Sequence, residues 1–227
     1  MLKLYVGNKN YSSWSMRPWV LMMQAGIPFE EVMVRFDDLA PGSEFKRRLE
    51  AVSPVGKVPV LVDGELAVWD SLAIAEYLAE KFPDRPLWPR AAPARARARC
   101  VVAEMHSGFA ALRNACTMNI EARLPEVGQI IWRDNAGVRA EVARIVAMWQ
   151  AALAEHGGPM LFGDFGIADA FYAPVVMRLR TFELPVPEDV RVYMRRVCEL
   201  PGVKAWIDAA LREHDFVVID EPYRAGR

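Results

Sequence analysis

The sequence is poor in cysteine and lacks the spaced motifs that mark metal, nucleotide or hydrolase chemistry. Its three cysteines, Cys100, Cys116 and Cys198, are far apart and form no C-x-x-C pair, which favours buried thiols over a redox centre. Its three histidines show no metal-ligand spacing, so we predict no metal. There is no G-x-G-x-x-G, Walker A or G-x-S-x-G motif, which argues against a nucleotide cofactor and a hydrolase triad.

Excess charge and long apolar runs are also missing. The net charge is −1, which gives no reason to expect nucleic acid or an anionic membrane as a partner. No apolar run approaches membrane-spanning length, and the N-terminus enters a strand pattern without a signal-peptide layout. With 53% hydrophobic and 25% charged residues, the 227-residue chain has a globular composition. We therefore expect a soluble, cytoplasmic protein of one large domain or two small ones.

A serine-rich stretch between an apolar strand and an apolar helix organises the N-terminal part. The helix is predicted over residues 15–24, and Pro18 is expected in its first turn, where a missing N–H costs nothing. This places the N-cap near Ser15 and the hydroxyls of Ser12 and Ser13 just ahead of the helix. A helix N-terminus favours an anion, so these hydroxyls can donate to a thiolate or carboxylate. The alternative is a serine-rich loop with an ordinary N-cap.

Periodicity divides the chain into an α/β part and a helical part. The pattern predicts strands near 2–6, 28–34, 58–62 and 65–69, and helices near 15–24, 43–49 and 71–82. The proline-rich segment 83–89 breaks all periodicity, so we predict a domain over 1–82, a linker over 83–92 and a helical domain over 93–227. The helical domain is predicted to contain helices from Pro93 to about Cys116, near 138–155, from about 166 onward, and near 188–200 and 203–214. The last dozen residues show no clear pattern.

Three separated segments carry a resemblance to a known family. They are the Ser12-Ser13 loop entering a helix with Arg17, the Gly56-Lys57-Val58-Pro59 run opening a strand, and the Asp70-Ser71 pair opening the next helix. Together with the helical second half, they resemble the cytosolic glutathione transferases, and within them a serine-type bacterial branch similar to the zeta class. The resemblance covers nearly the whole chain. It implies a thioredoxin-like α/β N-terminal domain followed by an all-α helical-bundle domain.

The resemblance also implies a site for glutathione as co-substrate. It implies a cis bond before Pro59, with the Val58 backbone turned toward the cysteinyl part of the tripeptide. Asp70 and Ser71 would hold the γ-glutamyl end, because a hydroxyl and free N–H groups suit its carboxylate and the Asp70 carboxylate suits its ammonium group. Lys57 would reach the glycyl carboxylate or be solvated. An ordinary N-cap is the alternative for the Asp70-Ser71 pair.

The thiol-activating residue follows from the frame Ser12-Ser13-Trp14-Ser15. Cysteine-type members use the first position of this frame, so Ser12 is the first candidate and Ser13 the second. Trp14 stands where the zeta class has cysteine, which argues against zeta-type isomerase activity. The acceptor substrate is expected between the domains, and the candidate lining residues are Trp14, Met105, His106, Phe109, Arg113 and Met118. For the apolar members of this set, the helix core is the alternative.

The resemblance predicts a glutathione transferase that activates the thiolate for attack on a small electrophile. The alternatives are a glutathione-dependent cis–trans isomerase of the maleylacetoacetate type and a non-catalytic glutathione-binding protein. A thiol reductase is not favoured, because the frame has serine instead of cysteine. The resemblance also implies a homodimer, and it assigns the segment from Gly166 to Asp169 to a capping box that supports folding.

Overall fold

The N-terminal domain is a small mixed sheet covered by helices. The computed structural model describes residues 1–36 and 40–224. The strands are β1 (Leu2–Val6), β2 (Phe29–Met33), β3 (Val60–Asp63) and β4 (Leu66–Val68), in the order β2-β1-β3-β4. β1 runs parallel to β2 and antiparallel to β3, and β3 pairs antiparallel with β4. The helices of this domain are α1 (Ser13–Gln24), α2 (Glu44–Glu50) and α3 (Ser71–Lys81).

Helix α1 is the element that joins the two halves of the molecule. Leu2, Leu4 and Val6 alternate along β1 and point into the core, so that α1 and α3 pack on the sheet. Residues 15–22 of α1 are all buried, since its other side contacts helices α8 and α10 of the second domain. The start of α1 therefore lies where the two domains meet.

The second domain is helical, as predicted. Its helices are α4 (Ala92–Ser107), α5 (Ala110–Ala115), α6 (Pro125–Asp134), α7 (Ala136–His156), α8 (Ile167–Thr181), α9 (Glu188–Glu199) and α10 (Pro201–Ala210), with a 3-10 turn at Val218–Asp220. Almost every residue of α8 is buried, and Trp149 packs edge-on against Tyr172 and Tyr193 beside it. Among the described residues, no helix is long and apolar enough to span a membrane. The predicted domain boundaries stay a prediction.

Two local predictions in the helical domain were wrong. The helix predicted from Pro93 to Cys116 is broken, because Phe109 adopts the left-handed region at φ 57° between α4 and α5. Helix α6 was missed altogether, although Pro125 stands at a favoured first position. Gly128 lets α6 approach the chain closely, since an added Cβ there would lie 1.8 Å from the Phe182 carbonyl oxygen.

The start of α1 also differs from the prediction. The N-cap is Ser12, and Ser13 is the first helical residue, so the assignment of the cap to Ser15 was wrong. The Ser12 side chain accepts from the Ser15 N–H, and its carbonyl accepts from the Met16 N–H at 3.1 Å. Pro18 therefore lies inside the helix and removes one helical hydrogen bond. The consequence is that Ser13 projects from the first turn itself.

Candidate active site

A cleft of about 520 Å³ opens at the start of α1, between the two domains. Elements from both domains and from the C-terminal segment form its walls. The side chains that line it belong to Tyr11, Ser12, Ser13, Trp14, Phe36, Phe45, Lys46, Lys57, Val58, Arg113, Asn114, Thr117, Met118, Arg178, Ile219 and Asp220. The cleft is thus more basic than the chain as a whole, and a helix N-terminus opens into it.

The two serines at the start of α1 have different hydrogen-bond partners. The Ser12 hydroxyl donates to Ser15 Oγ at 2.7 Å and accepts from the Ser15 N–H at 3.4 Å. Ser15 Oγ in turn accepts from the Gly7 N–H at 3.1 Å, which ties the cap to the end of β1. Ser13 Oγ accepts from Arg178 Nη2 at 3.1 Å. A hydroxyl has one proton, so that of Ser13 is still available to an acceptor in the cleft.

Cationic side chains surround the Trp14 indole. The Arg17 guanidinium lies 4.0 Å and that of Arg113 5.1 Å from the centre of this ring. Arg17 is buried, and its Nε and Nη1 have no hydrogen-bond partner among the described residues. Burial, followed by the charges of Arg113 and Arg178, lowers the pKa of Arg17 to about 9, so the group still carries its charge at neutral pH.

The segment before β3 has the predicted geometry. The Val58–Pro59 bond is cis, as the resemblance implies, and Val58 lines the cleft with Ser12 and Lys57. Among the hydrogen bonds between described residues, none uses the Val58 N–H or C=O. Gly56 has φ +53°, a left-handed conformation that turns the chain into this segment. The Val58 backbone is therefore free to pair with a peptide-like ligand.

Asp70 and Ser71 begin α3 beside the cleft, although their side chains are not among those that line it. Asp70 caps the helix by accepting from the Leu72 N–H at 2.9 Å, and Ser71 Oγ is buried with no partner in the described chain. Asp70 Oδ2 lies 3.1 Å from His106 Nε2, and the His106 ring packs edge-on against Trp14 at 5.3 Å. His106 therefore links the start of α3 to the start of α1.

The proposed acceptor-site residues other than His106 fall into two groups. Trp14, Arg113 and Met118 line the cleft. Met105 and Phe109 do not line the cleft and are buried in the hydrophobic core, which fits the alternative of helix packing; Met118 belongs to this core as well as to the cleft wall. Residues of a buried helix face and residues of a cleft wall recur with the same helical spacing, so the spacing could not distinguish between them.

Comparison with known proteins shows what kind of chain this is. Residues 11–81 match the family model for the glutathione S-transferase N-terminal domain, and residues 92–209 match that for its C-terminal domain. The chain belongs to the glutathione S-transferase family. It is 30% identical to glutathione S-transferase Z1 of Arabidopsis thaliana over 74% of this chain and 75% of the relative. It is also 30% identical to a probable maleylacetoacetate isomerase of Caenorhabditis elegans, over 80% of each chain.

Solved structures share the fold of this transferase. A glutathione transferase homologue from Burkholderia, with bound glutathione, superposes with a TM-score of 0.69 at 24% identity, over 92% of this chain and 97% of the other. The expected fold class is confirmed, and so is the resemblance to the zeta class. The chain is a glutathione transferase, and glutathione is its partner. Within the described residues, no cluster of side chains is arranged to hold a metal ion.

Two parts of the transferase site were missed by the sequence analysis. The first is Arg178, which the helical pattern places on α8 without indicating that it reaches α1. The second is the C-terminal segment, which crosses the loop before Ser12. Glu213 accepts from the N–H groups of Lys9 at 2.7 Å and Asn10 at 3.1 Å, and Glu221 accepts from the Tyr11 hydroxyl. No local signal could reveal these contacts, because each joins opposite ends of the chain.

Proposed function

We propose that the cleft binds glutathione along the Val58 backbone and that the Ser13 hydroxyl donates to the thiolate of the bound tripeptide. The unpaired Val58 N–H and C=O suit the peptide backbone, and Lys57 and Lys46 suit the glycyl carboxylate. The start of α3, with Asp70 and the unpaired Ser71 hydroxyl, suits the γ-glutamyl end. The thiolate then attacks a small electrophile held against Trp14.

The choice of Ser13 over Ser12 depends on one observation. The proton of Ser12 is donated to Ser15 Oγ at 2.7 Å, whereas Ser13 Oγ accepts from Arg178 and keeps its proton for the ligand. An ordinary thiol has a pKa of about 8.5, so only a few per cent is ionised at neutral pH. Lowering this value by roughly two units needs about 2.7 kcal/mol. One charge-assisted hydrogen bond and the dipole of α1 supply an amount of that size.

The test measures binding and turnover separately. Calorimetry should show that the purified protein binds glutathione, and a panel of aryl halides, epoxides, enones and activated alkenoic acids should identify an acceptor that consumes glutathione stoichiometrically. Binding without consumption of glutathione across the panel would favour the non-catalytic alternative. Absence of binding would contradict the proposed site as a whole.

A glutathione-dependent isomerase is the second candidate. The nematode relative that is 30% identical over 80% of this chain bears the name of a probable maleylacetoacetate isomerase, and the basic cleft of this chain suits an acidic substrate. Trp14 argues in the other direction, because its indole occupies the position where the zeta class has cysteine. Isomerisation regenerates glutathione, so a cis-enone acid converted with no net loss of thiol would identify this activity.

We further propose that the protein is a two-fold homodimer in which the N-terminal domain of one subunit contacts the helical domain of the other. Exposed apolar side chains on the N-terminal domain, Val55, Leu66 and Trp69, support such an interface. Light scattering at micromolar concentration should give twice the mass of the 25.6 kDa chain, and a monomer would contradict this proposal. A cytoplasmic location stays a prediction.

A further inference from the structure

Among the residues that the structure describes, Arg178 is the buried cation that contacts the proposed thiol-activating serine. Its side chain projects from α8 and is 6% exposed. Nη1 donates to the carbonyl of Arg113 at 3.2 Å and to that of Cys116, while Nη2 donates to Ser13 Oγ at 3.1 Å. The backbone at the end of α5 thus fixes the guanidinium on one side, and its other side meets the first turn of α1.

The charged groups around Arg178 give this corner of the cleft an excess of positive charge, which favours binding of an anion. Arg17 lies on α1, Arg113 lies on α5, and Cys116 follows α5 directly. Asp220 lies on the C-terminal turn, and Lys46 and Lys57 lie across the cleft. Burial is the main cause that lowers the pKa of Arg178 to about 10, so it stays charged at neutral pH. Burial raises the pKa of the Cys116 thiol to about 12, so that thiol stays neutral. Asp220 is the carboxylate that acts on Arg178, while Asp70 acts on Arg17 and Glu141 acts on Arg113.

We propose that Arg178 is a positioning residue for thiol activation: it holds the Ser13 hydroxyl by its oxygen, directs the hydroxyl proton into the cleft and places a positive charge behind the thiolate. This inference rests on the proposed function. In the step itself, the S–H bond of glutathione ionises and its proton leaves to solvent, while the sulfur accepts the Ser13 hydrogen bond. A hydroxyl that accepts from a cation is also a stronger donor, because hydrogen bonds in series polarise one another.

The expected size of the effect follows from distance. Two hydrogen bonds in series place a thiolate sulfur about 6 Å from the guanidinium. At an effective dielectric constant of about 20, a full charge at that separation changes the thiol pKa by about two units. Arg178→Gln removes the charge and keeps a donor for the buried carbonyls, so the thiol pKa of bound glutathione should rise by about one to two units.

The experiment titrates the ultraviolet absorbance of the thiolate in the complex of the full chain with glutathione. Arg180→Gln is the matched control, because Arg180 lies two residues along the same helix, donates to Cys198 Sγ and does not line the cleft. This control should leave the thiol pKa unchanged. The Kd for glutathione, measured by calorimetry at a pH where the thiol is protonated, should stay within about threefold in Arg178→Gln. In the double variant, the rise in the thiol pKa should be smaller than the sum of the rises in Ser13→Ala and Arg178→Gln.

Each outcome supports or overturns the assignment. If Arg178→Gln binds glutathione with an unchanged thiol pKa, Arg178 is only structural and the inference fails, while the proposed function stands. If the wild-type protein does not bind glutathione, the proposed function itself fails. If Arg178→Gln does not fold, Arg178→Lys decides: lysine keeps the charge but lacks the second nitrogen, so the pKa should rise by about half a unit to one unit. If the thiol pKa of bound glutathione is unchanged in Arg178→Lys, Arg178 does not act by orienting the Ser13 hydroxyl.

Discussion

Helices α1 and α8 both have the positive end of a helix dipole at their N-terminus, but of the two only α8 has an acidic side chain in its first turn. At the start of α8, the Asp169 carboxylate accepts from the Gly166 N–H at 3.0 Å, the Leu161 N–H at 3.1 Å and the Tyr193 hydroxyl at 2.9 Å. The carboxyl group is fully enclosed, and it binds the N–H of the N-cap residue Gly166 and that of Leu161 in the preceding segment. This helix end serves the fold, as the predicted role of the segment implies.

The start of α1 has no acidic residue in its first turn. It opens into the cleft, with Ser13 at the first position and arginines nearby. The dipole of α1 is thus directed at a cleft where an anion can bind, although the N–H groups of Ser13 and Ser15 already donate to the Tyr11 carbonyl and to Ser12 Oγ. A helix N-terminus is therefore a candidate ligand site when it faces open space and lacks an internal carboxylate.

Removing the internal anion of α8 should have the largest effect on the molecule. Asp169→Ala leaves the buried Leu161 N–H, the partly buried Gly166 N–H and the Tyr193 hydroxyl without this partner, so we expect a loss of about 3–5 kcal/mol in the free energy of unfolding. Urea denaturation measures this loss. Asp164→Ala is the control, because Asp164 is an exposed acid in the preceding loop and should change stability by less than about 0.5 kcal/mol. Equal losses in both variants would contradict the role assigned to Asp169.

The same carboxyl group should make stability depend on pH in a specific direction. Burial, the largest cause, raises the pKa of Asp169 to about 6, above its ordinary value of 3.8. Ionisation is therefore harder in the folded chain than in the unfolded chain. The stability that this group contributes is complete below about pH 4 and falls as the pH rises through 6, by up to about 3 kcal/mol.

The measurement for this effect is the difference in unfolding free energy between the wild type and Asp169→Asn, followed from pH 4 to pH 7. Because asparagine does not titrate, the difference isolates the carboxyl group. It should shrink as the pH rises. A difference that grows over this range would show that the hydrogen bonds outweigh burial and that the pKa of Asp169 is lowered.

At α1, the expected effect is on the ligand instead of on the fold. Ser13→Ala removes the proposed donor, and a hydrogen bond to a charged group contributes about 1.5–3 kcal/mol, so the thiol pKa of bound glutathione should rise by roughly one to two units. At a pH below that pKa, the rate of glutathione consumption should fall by about the same factor as the fraction of thiolate. Thiolate absorbance and initial rates measure both. An unchanged thiol pKa would mean that the helix terminus and backbone N–H groups activate the thiol alone.

Where local chemistry decides the structure, the sequence was sufficient. Pro59 at the start of β3, the Asp63-Gly64 turn between β3 and β4, and the Asp70 cap of α3 each depend on residues within a few positions, and all were predicted. The first turn of α1 was not, because Ser12, Ser13 and Ser15 are all competent caps. The hydrogen bond from the Ser15 N–H to Ser12 Oγ shows that Ser12 is the cap, and the one from the Gly7 N–H to Ser15 Oγ shows that Ser15 is used inside the fold.

Contacts between residues that are far apart in the chain could not be predicted from the sequence. Arg178 and Arg180 have the same helical context in the sequence, yet one is buried against Ser13 across 165 positions and the other is not. The break at Phe109 was missed for a related reason, since the apolar spacing continues through it and packing overrides the pattern. Functional residues that depend on such packing require the structure.

The smallest expected effect separates the two serines of α1. Ser12→Ala removes the N-cap, which should lower the free energy of unfolding by about 1 kcal/mol. Ser43→Ala is a matched control, because Ser43 caps α2 by accepting from the Lys46 N–H at 3.2 Å and does not line the cleft. Both variants should lose similar stability, and both should leave the thiol pKa of bound glutathione within about half a unit of the wild type. If Ser12→Ala raises that pKa by a full unit while Ser13→Ala does not, Ser12 is the donor, as the order of the frame predicts. The hydrogen bond from Ser12 to Ser15 would then have to be exchanged for one to the sulfur when glutathione binds.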